Sequence, residues 1–410
     1  MSDADSLKVP FSRPSISKEE NQLVLEVLNS GWLTTGKYTL QFENDFSAIM
    51  NSRPEMLAER KKHNLSAEPV KSLAVNSNTS GMILAMEACG VGPGKAVITT
   101  PYTFVSTATC ARHLGADVYF ADIEKDSYSI DVNKIEEILK SPKGKNVKAI
   151  VPVHIAGNLC NMKEICALAK KYKVKVIEDA AHAFPSPSAL GYAGSIGDIG
   201  VFSFYVTKTI TTAEGGMVCT RDEELYKRMC VMRMHGMDRT TWDRYTSPRA
   251  SWEYDIIAPG YKFNLPDLLA ALGVAQLKKA EDFYKKRLRI IKKYNEAFKN
   301  LDFIQLPPDG EGNAWHLYLM RIIPEKLKIN RYDFARLLQK AGIGISVHFI
   351  PLFNFTYWKN LYPDFRAENF PNADDNYNRT ITIPLWPDMT DEMADEVIKE
   401  ICRIGKENHV

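Results

Sequence analysis

One lysine, Lys208, stands in GVFSFYVTKTITTAEGGMVC (residues 200–219) between two runs that read as short strands. Before it, Val201-Phe202-Ser203-Phe204-Tyr205 has the aromatic and β-branched composition of a buried strand; after it, Gly215-Gly216 can turn the chain sharply into Met217-Val218-Cys219. An ammonium in apolar surroundings loses hydration, which lowers its pKa from a reference of about 10.4. A neutral amine can attack an aldehyde. Taken alone, Lys208 also reads as a solvated lysine among threonines. The preceding segment, Val174-Lys175-Val176-Ile177-Glu178-Asp179-Ala180-Ala181-His182, predicts a buried strand ending in an acid, two small residues and an imidazole. That is the composition of a strand end that holds a cofactor.

The surrounding elements must bring these groups together. Residues 17–28 open with a capping-box pattern, Ser17 then Glu20, and continue with apolar residues on helical spacing; residues 38–50 predict a second helix. Trp32 and Thr34 lie in the Gly-bounded loop between them, where Trp32 also fits simple packing. Residues 51–72 are charge-rich and bounded by Pro54 and Pro69, a pattern expected of a surface excursion, with Arg60, Lys61, Lys62 and His63 on a solvated face. From Leu73 the chain alternates strands (73–75, 96–100, 116–121, 149–154, 174–178) with helical stretches (81–88, 133–139, 163–172, and one ending at Leu114), which argues for an α/β domain with a largely parallel sheet. Ligands of such sheets bind at the carboxyl ends of the strands, where Thr99 to Phe104, His154, Asp179 and His182 fall. Asn76-Ser77-Asn78-Thr79-Ser80 sets amides and hydroxyls at a helix start, either an anion seat or an ordinary cap. A helix over 266–283 leads to further strands (315–322, 344–349, 380–384) and helices (333–341, 391–404). We divide the chain into 1–265, a large α/β domain, and 266–410, a smaller one.

With 45% hydrophobic and 25% charged residues, 410 residues can bury a large core. The net charge of +2, with both signs interspersed, gives no nucleic-acid footprint and no polybasic membrane patch. Seven scattered cysteines without a CxxC pair read as reduced core residues, and no metal site is expected. The start, MSDADSLKVPF, lacks the regions of a signal peptide, and no run approaches the roughly 18 apolar residues of a membrane span, so the cytoplasm is expected.

The ordered segments FSRP (11–14), SGWLTTG (30–36), GVGPGKAVITTPYTFVSTA (90–108), PVHIAG (152–157), IEDAAHA (177–183), GSIGDIGVFSF (194–204), TTAEGGMV (211–218), APGYKFNLPDLLAALGVAQL (258–277) and AWHLY (314–318) resemble the DegT/DnrJ/EryC1/StrS family of sugar-nucleotide aminotransferases. The resemblance runs from about Val9 to the last helix. It implies an α/β enzyme of PLP fold type I, like aspartate aminotransferase, with a mainly parallel central sheet in the large domain and a small C-terminal α+β domain. The cofactor it implies is pyridoxal 5′-phosphate (PLP). Lys208 would join the cofactor aldehyde as an imine and then act as the proton-shuttling base. Asp179 would pair with the pyridine nitrogen; its alternative is a helix N-cap. Two unit charges about 4 Å apart gain on the order of 4 kcal/mol at an effective dielectric near 20, enough to keep the ring cationic.

By the same resemblance His182 would contact the ring and its 3′-oxygen. Phe104 would stack on the pyridine face or else be a core phenylalanine. Asn78, Thr79 and Ser203 would hold the phosphate, and Asn264 would reach it from a neighbouring subunit, making a homodimer with shared active sites. Trp32, Thr34 and His348 would face the substrate, His348 having a core role as its alternative, while His154, His235 and His316 fit structural roles. The expected reaction moves the amino group of L-glutamate to a nucleotide-linked ketosugar. FSRP, SGWLTTG, GYKFNLPDL and AWHLY together point to a UDP-linked 4-ketosugar, as in the making of UDP-4-amino-4-deoxy-L-arabinose; amination at C3 of a dTDP- or GDP-ketosugar is the alternative. Relatives often carry Asn after the lysine, Gly for Asn78 and His for Phe353, whereas this chain has Thr209, Asn78 and Phe353. Lys208 argues against the related sugar 3-dehydrase, which has histidine there. A non-catalytic PLP- or sugar-binding regulator would ordinarily add a DNA-binding module, and a desulfurase would need a mobile nucleophilic cysteine; the sequence displays neither.

Overall fold

A computed structural model describes residues 7–238 and 253–410; residues 1–6 of the MSDADSLKVPF start and residues 239–252 lie outside it. The predicted alternation of strands and helices folds into one seven-stranded sheet. Its strands are β1 (Lys71–Val75), β2 (Ala96–Thr99), β3 (Asp117–Phe120), β4 (Val147–Ile150), β5 (Lys175–Asp179), β8 (Ile199–Ser203) and β9 (Gly216–Thr220), in the order β1-β9-β8-β5-β4-β2-β3. A small hairpin of β6 (Pro187–Ser188) and β7 (Gly191–Tyr192) stands apart. β2, β3, β4, β5 and β8 run parallel, as a strand–helix alternation requires, while β9 is antiparallel to both β8 and β1. No helix forms between β8 and β9, so the chain doubles back. The loop carrying Lys208 is thereby left at the carboxyl end of β8, beside the end of β5.

Side-chain alternation along β5 separates its two acids. Asp179 and Glu178 point to opposite faces, both buried. Glu178 accepts the N–H groups of Gly194, Ile196 and Gly197 (2.8, 2.7 and 2.7 Å) and lies 2.9 Å from His154 Nε2. His154 Nδ1 accepts the Cys160 N–H, so its proton sits on Nε2, facing Glu178. The histidine expected near the ligand end therefore works on the other side of the sheet, anchoring the turn after β4 to the loop before β8.

Two further packing arrangements depart from the expected ones. Residues 51–72 contain a helix, Met56–Lys62, in which Arg60 is only 1% exposed. Its guanidinium donates to the carbonyls of Ser66 (2.6 Å), Leu190 (2.8 Å) and Ser195 (3.0 Å), tying the excursion to the β6–β7 region. The predicted solvated face fails at Arg60 because Met56, one turn earlier, buries the same side of the helix. The second departure concerns residues 344–349, which form no regular strand: Ser346 alone pairs with Thr382, and the chain then brings His348 and Phe349 to a cavity beside the end of β5.

The C-terminal part builds a three-stranded antiparallel sheet, β10 (Ile304–Gln305), β11 (Tyr318–Ile322) and β12 (Thr380–Ile383). Helices Ala280–Phe298, Arg331–Lys340 and Asp391–Glu407 pack on it around one hydrophobic core, which also takes in Val9. Helix Asp267–Lys278 packs instead with Val27, Phe42 and Phe46 of the first two helices. Among the described residues no helix is long and apolar enough to cross a membrane.

Candidate active site

The carboxyl ends of β5 and β8, the start of helix Asn78–Ala88, the loop at 101–106 and the turn before β9 enclose a cavity of about 330 Å³. Eight of the residues singled out above line it: Asn78, Thr79, Phe104, Asp179, His182, Ser203, Lys208 and His348. Trp32, Thr34 and Asn264 do not. They gather in a separate cluster, where Trp32 Nε1 donates to the Thr35 carbonyl (3.2 Å), Asn264 Nδ2 donates to Thr35 Oγ1 (2.6 Å) and the Thr34 carbonyl accepts from Asp267 N–H (3.2 Å).

Lys208 opens partly onto the cavity, yet the protein wraps it closely enough that burial lowers its pKa to about 8, against the opposing pull of the Asp179 charge. Asp179 is 4% exposed. Burial raises its pKa above the usual carboxylate range, while hydrogen bonds from Thr107 and the Ala181 N–H, followed by the charge of Lys208, pull it back. His182 is held neutral by burial and by Lys208, and its Nδ1 accepts the Ala156 N–H (3.2 Å), which leaves the proton on Nε2. Phe349 stacks on His182 with centroids 5.6 Å apart, and Phe104, 58% exposed, keeps a ring face free beside Phe349.

Sequence reasoning missed Phe349 and Thr107, gave His316 only a structural role, and placed Thr103 at the ligand end of its strand without assigning it one. His316 lines the cavity with its ring 4.5 Å from His182, and its Nδ1 is buried without a hydrogen-bond partner among the described residues. No local pattern distinguishes His316, because only the packing of the segment before β11 against the 154–157 turn brings it there. Thr103 and Thr107 did carry a signal in their four-residue spacing, although Thr103 stands just before the helix Ser106–His113 and only Thr107 lies within it.

Pyridoxal 5′-phosphate requires an anion seat, a carboxylate for its ring nitrogen, an amine for its aldehyde and flat walls for its ring. The first-turn N–H groups of helix Asn78–Ala88, with the Thr79 and Ser203 hydroxyls, meet the first requirement. Asp179, Lys208, and Phe104 with His182 meet the others. Gly216 keeps the seat open, since a Cβ there would come within 2.8 Å of the Asn78 nitrogen. The orphaned His316 Nδ1 adds a polar atom that a bound molecule can satisfy. One expected detail is different: the Asn78 amide donates to the Val201 carbonyl (3.1 Å) and reaches Asp179 Oδ1 (3.5 Å), which leaves its backbone N–H for an anion.

Known proteins agree with this chemistry. The chain is 41% identical over 401 residues to the spore coat polysaccharide biosynthesis protein SpsC of Bacillus subtilis (strain 168), spanning 97% of each. Among solved structures it is similar to Spr1654 of Streptococcus pneumoniae in its PLP form, with a TM-score of 0.85 and 29% identity over 97% of this chain and 99% of that one. A PMP form of the same protein superposes with a TM-score of 0.86. Helicobacter pylori PseC, an aminotransferase involved in the biosynthesis of pseudoaminic acid, gives a TM-score of 0.83 at 28% identity, over 97% of this chain and 99% of that one. A family model for the DegT/DnrJ/EryC1/StrS aminotransferases matches residues 14–402. The chain belongs to that family and is an aminotransferase that works with pyridoxal 5′-phosphate.

Proposed function

We propose that this enzyme transfers the amino group of L-glutamate to the ketone of a nucleotide-linked ketosugar, a UDP-linked 4-ketosugar being the substrate we favour. The observation that carries the reading is the shared cavity, in which a lysine of lowered pKa, a buried carboxylate and a helix-start anion seat meet. The names of SpsC and PseC support a sugar as acceptor, one acting in polysaccharide and the other in pseudoaminic acid biosynthesis.

When bound, the cofactor supplies an aldehyde to receive the amino group and a cationic ring that withdraws electrons from the carbon losing its proton. The chain's own residues do the rest. Lys208 Nζ, about half neutral at pH 8, would hold the aldehyde and, once freed by the amino donor, would be the base that carries the proton from the donor's Cα across the nitrogen to the aldehyde-derived carbon. Asp179 keeps the ring nitrogen protonated. His182 offers its Nε2–H to the ring oxygen, and Phe104 covers one ring face. Thr79, Ser203 and the Asn78 N–H hold the phosphate, while His348, fixed by Thr382 Oγ1 at Nδ1 (2.9 Å), faces the sugar. Trp32, Thr34 and Asn264, clustered outside this cavity, would serve the active site of a second copy in a homodimer.

The test is spectroscopic. Loaded protein should absorb in the visible, lose that band with L-glutamate, and recover it with one member of a panel of UDP-, dTDP- and GDP-ketosugars. A band indifferent to glutamate, or bleached protein that no ketosugar restores, would overturn the proposal.

A further inference from the structure

Asp179 is positioned by more than its strand. Its Oδ2 accepts from Thr107 Oγ1 at 2.7 Å; its Oδ1 accepts from the Ala181 N–H at 3.2 Å and lies 3.5 Å from Asn78 Nδ2. Thr107 belongs to helix Ser106–His113, is wholly buried, and has Thr103 Oγ1 2.9 Å from its own hydroxyl oxygen. An ionised carboxylate only accepts, so the Thr107 hydrogen points at Asp179 and its oxygen must accept from Thr103. The chain of donors therefore has one direction: Thr103 to Thr107 to Asp179. A carboxylate offers about four acceptor positions. The donors fill both positions on Oδ1 and one on Oδ2, leaving the last on Oδ2.

We propose that Thr107, backed by Thr103 and seconded by Asn78, is the positioning residue of Asp179: it reserves one Oδ2 lone pair for the cofactor's pyridine nitrogen and weakens the carboxylate as a proton acceptor, so that the shared proton stays on the ring. This inference rests on the placement of the cofactor ring against Asp179 proposed above. Titratable groups near Asp179 on neighbouring elements are Lys208 after β8 and Cys110 on the helix of Thr107, with the charge of His154, after β4, acting on it from the opposite face of the sheet. After burial, which raises the Asp179 pKa, the Thr107 hydrogen bond is the strongest influence on it, ahead of Lys208. A positively charged lysine is thus the lesser partner and a neutral threonine the greater. Once Lys208 is bound to the cofactor aldehyde and no longer presents its free ammonium, the threonine remains.

The experiment titrates full-length apoprotein with pyridoxal 5′-phosphate by absorbance from pH 5 to 9, for the wild type, Thr107→Val, Thr107→Ser and Thr103→Val. Thr107→Val keeps the side-chain shape and removes the donor, and its Kd at pH 7 should rise about tenfold, the usual scale for a hydrogen bond to a charged group. Its affinity should also fail at a higher pH on the acid side, because Asp179 then protonates more readily. Thr107→Ser should restore both readouts, and Thr103→Val should shift them the same way by less. An unchanged Kd–pH profile in Thr107→Val, or a loss equal at every pH that serine does not rescue, would overturn the proposal. If Thr107→Val does not fold, an unshifted profile in Thr103→Val overturns it instead. Wild-type protein that fails to bind the cofactor would sink the cofactor placement and this inference together, whereas wild-type binding beside an unmoved Thr107→Val sinks this inference alone.

Discussion

At the scale of single residues, the amine of Lys208 decides when the enzyme can be loaded. A pKa of about 8 leaves roughly one hundredth of it neutral at pH 6 and half at pH 8. The rate at which apoprotein captures pyridoxal 5′-phosphate should therefore climb about tenfold per pH unit below pH 8 and flatten above it, as read by stopped-flow absorbance. A climb that continues beyond pH 9 would mean an ordinary, solvated lysine. Lys208→Ala should still bind the cofactor through Asp179 and the helix start, but borohydride should no longer fix it to the protein in a mass spectrum. Turnover should stop. Turnover at the wild-type rate would remove Lys208 from the chemistry.

The element whose placement matters most beyond the cavity is helix Lys37–Met50, which begins at Gly36 with no side-chain cap of its own. Asp267, the first residue of a helix more than 200 positions away in sequence, supplies the cap. Its carboxylate accepts the N–H groups of Gly36 (2.8 Å), Tyr38 (3.2 Å) and Thr39 (2.9 Å) and the Thr39 hydroxyl (2.8 Å), and it is 1% exposed. A carboxylate at a helix start meets both the unpaired N–H groups and the positive end of the helix dipole. Because Trp32, Thr34 and Asn264 are tied to the same junction, Asp267 also sets their geometry. Asp267→Ala should destabilise the protein by about 3–5 kcal/mol, leaving several buried donors unpaired, and lower the melting temperature by several degrees in calorimetry. A melting temperature within a degree of wild type would show that the junction holds without it.

For the whole molecule, the separation of Trp32, Thr34 and Asn264 from the cavity of their own chain leads to a prediction about assembly. Leu33, Leu40, Phe104, Tyr205, Ile256 and Ile257 are all at least 40% exposed, a degree of apolar exposure that a partner surface would relieve. Light scattering should give a mass twice the 46.3 kDa of one chain. In a shared site, Lys208→Ala disables the cavity of its own chain and Asn264→Ala that of its partner, so in a mixed dimer both lesions fall in the same cavity. Unfolding and refolding the two inactive variants together should then regain up to about a quarter of wild-type activity, since half the dimers are mixed and each mixed dimer has one intact site. No activity from the mixture, together with a monomeric mass, would show that each chain works alone.

Local sequence reaches some of these features and not others. Strand and helix alternation from Leu73 onward, and the positions of Lys208, Asp179 and His182 at strand ends, were legible because hydrophobic period and turn residues act over a few positions. Even Thr103 and Thr107 left a trace in their spacing. The burial of Arg60, the turning of His154 to the far side of the sheet and the arrival of His316 in the cavity were not legible. Each depends on which carbonyl, carboxylate or ring another segment happens to present. The sequence determined that a reactive amine and an acid would lie at the ends of neighbouring strands, since backbone alternation and chain order require it. Only the tertiary structure decided which hydroxyls and imidazoles surround them and which residues stay outside, because hydrogen bonds and burial are made between segments, some of them more than two hundred residues apart.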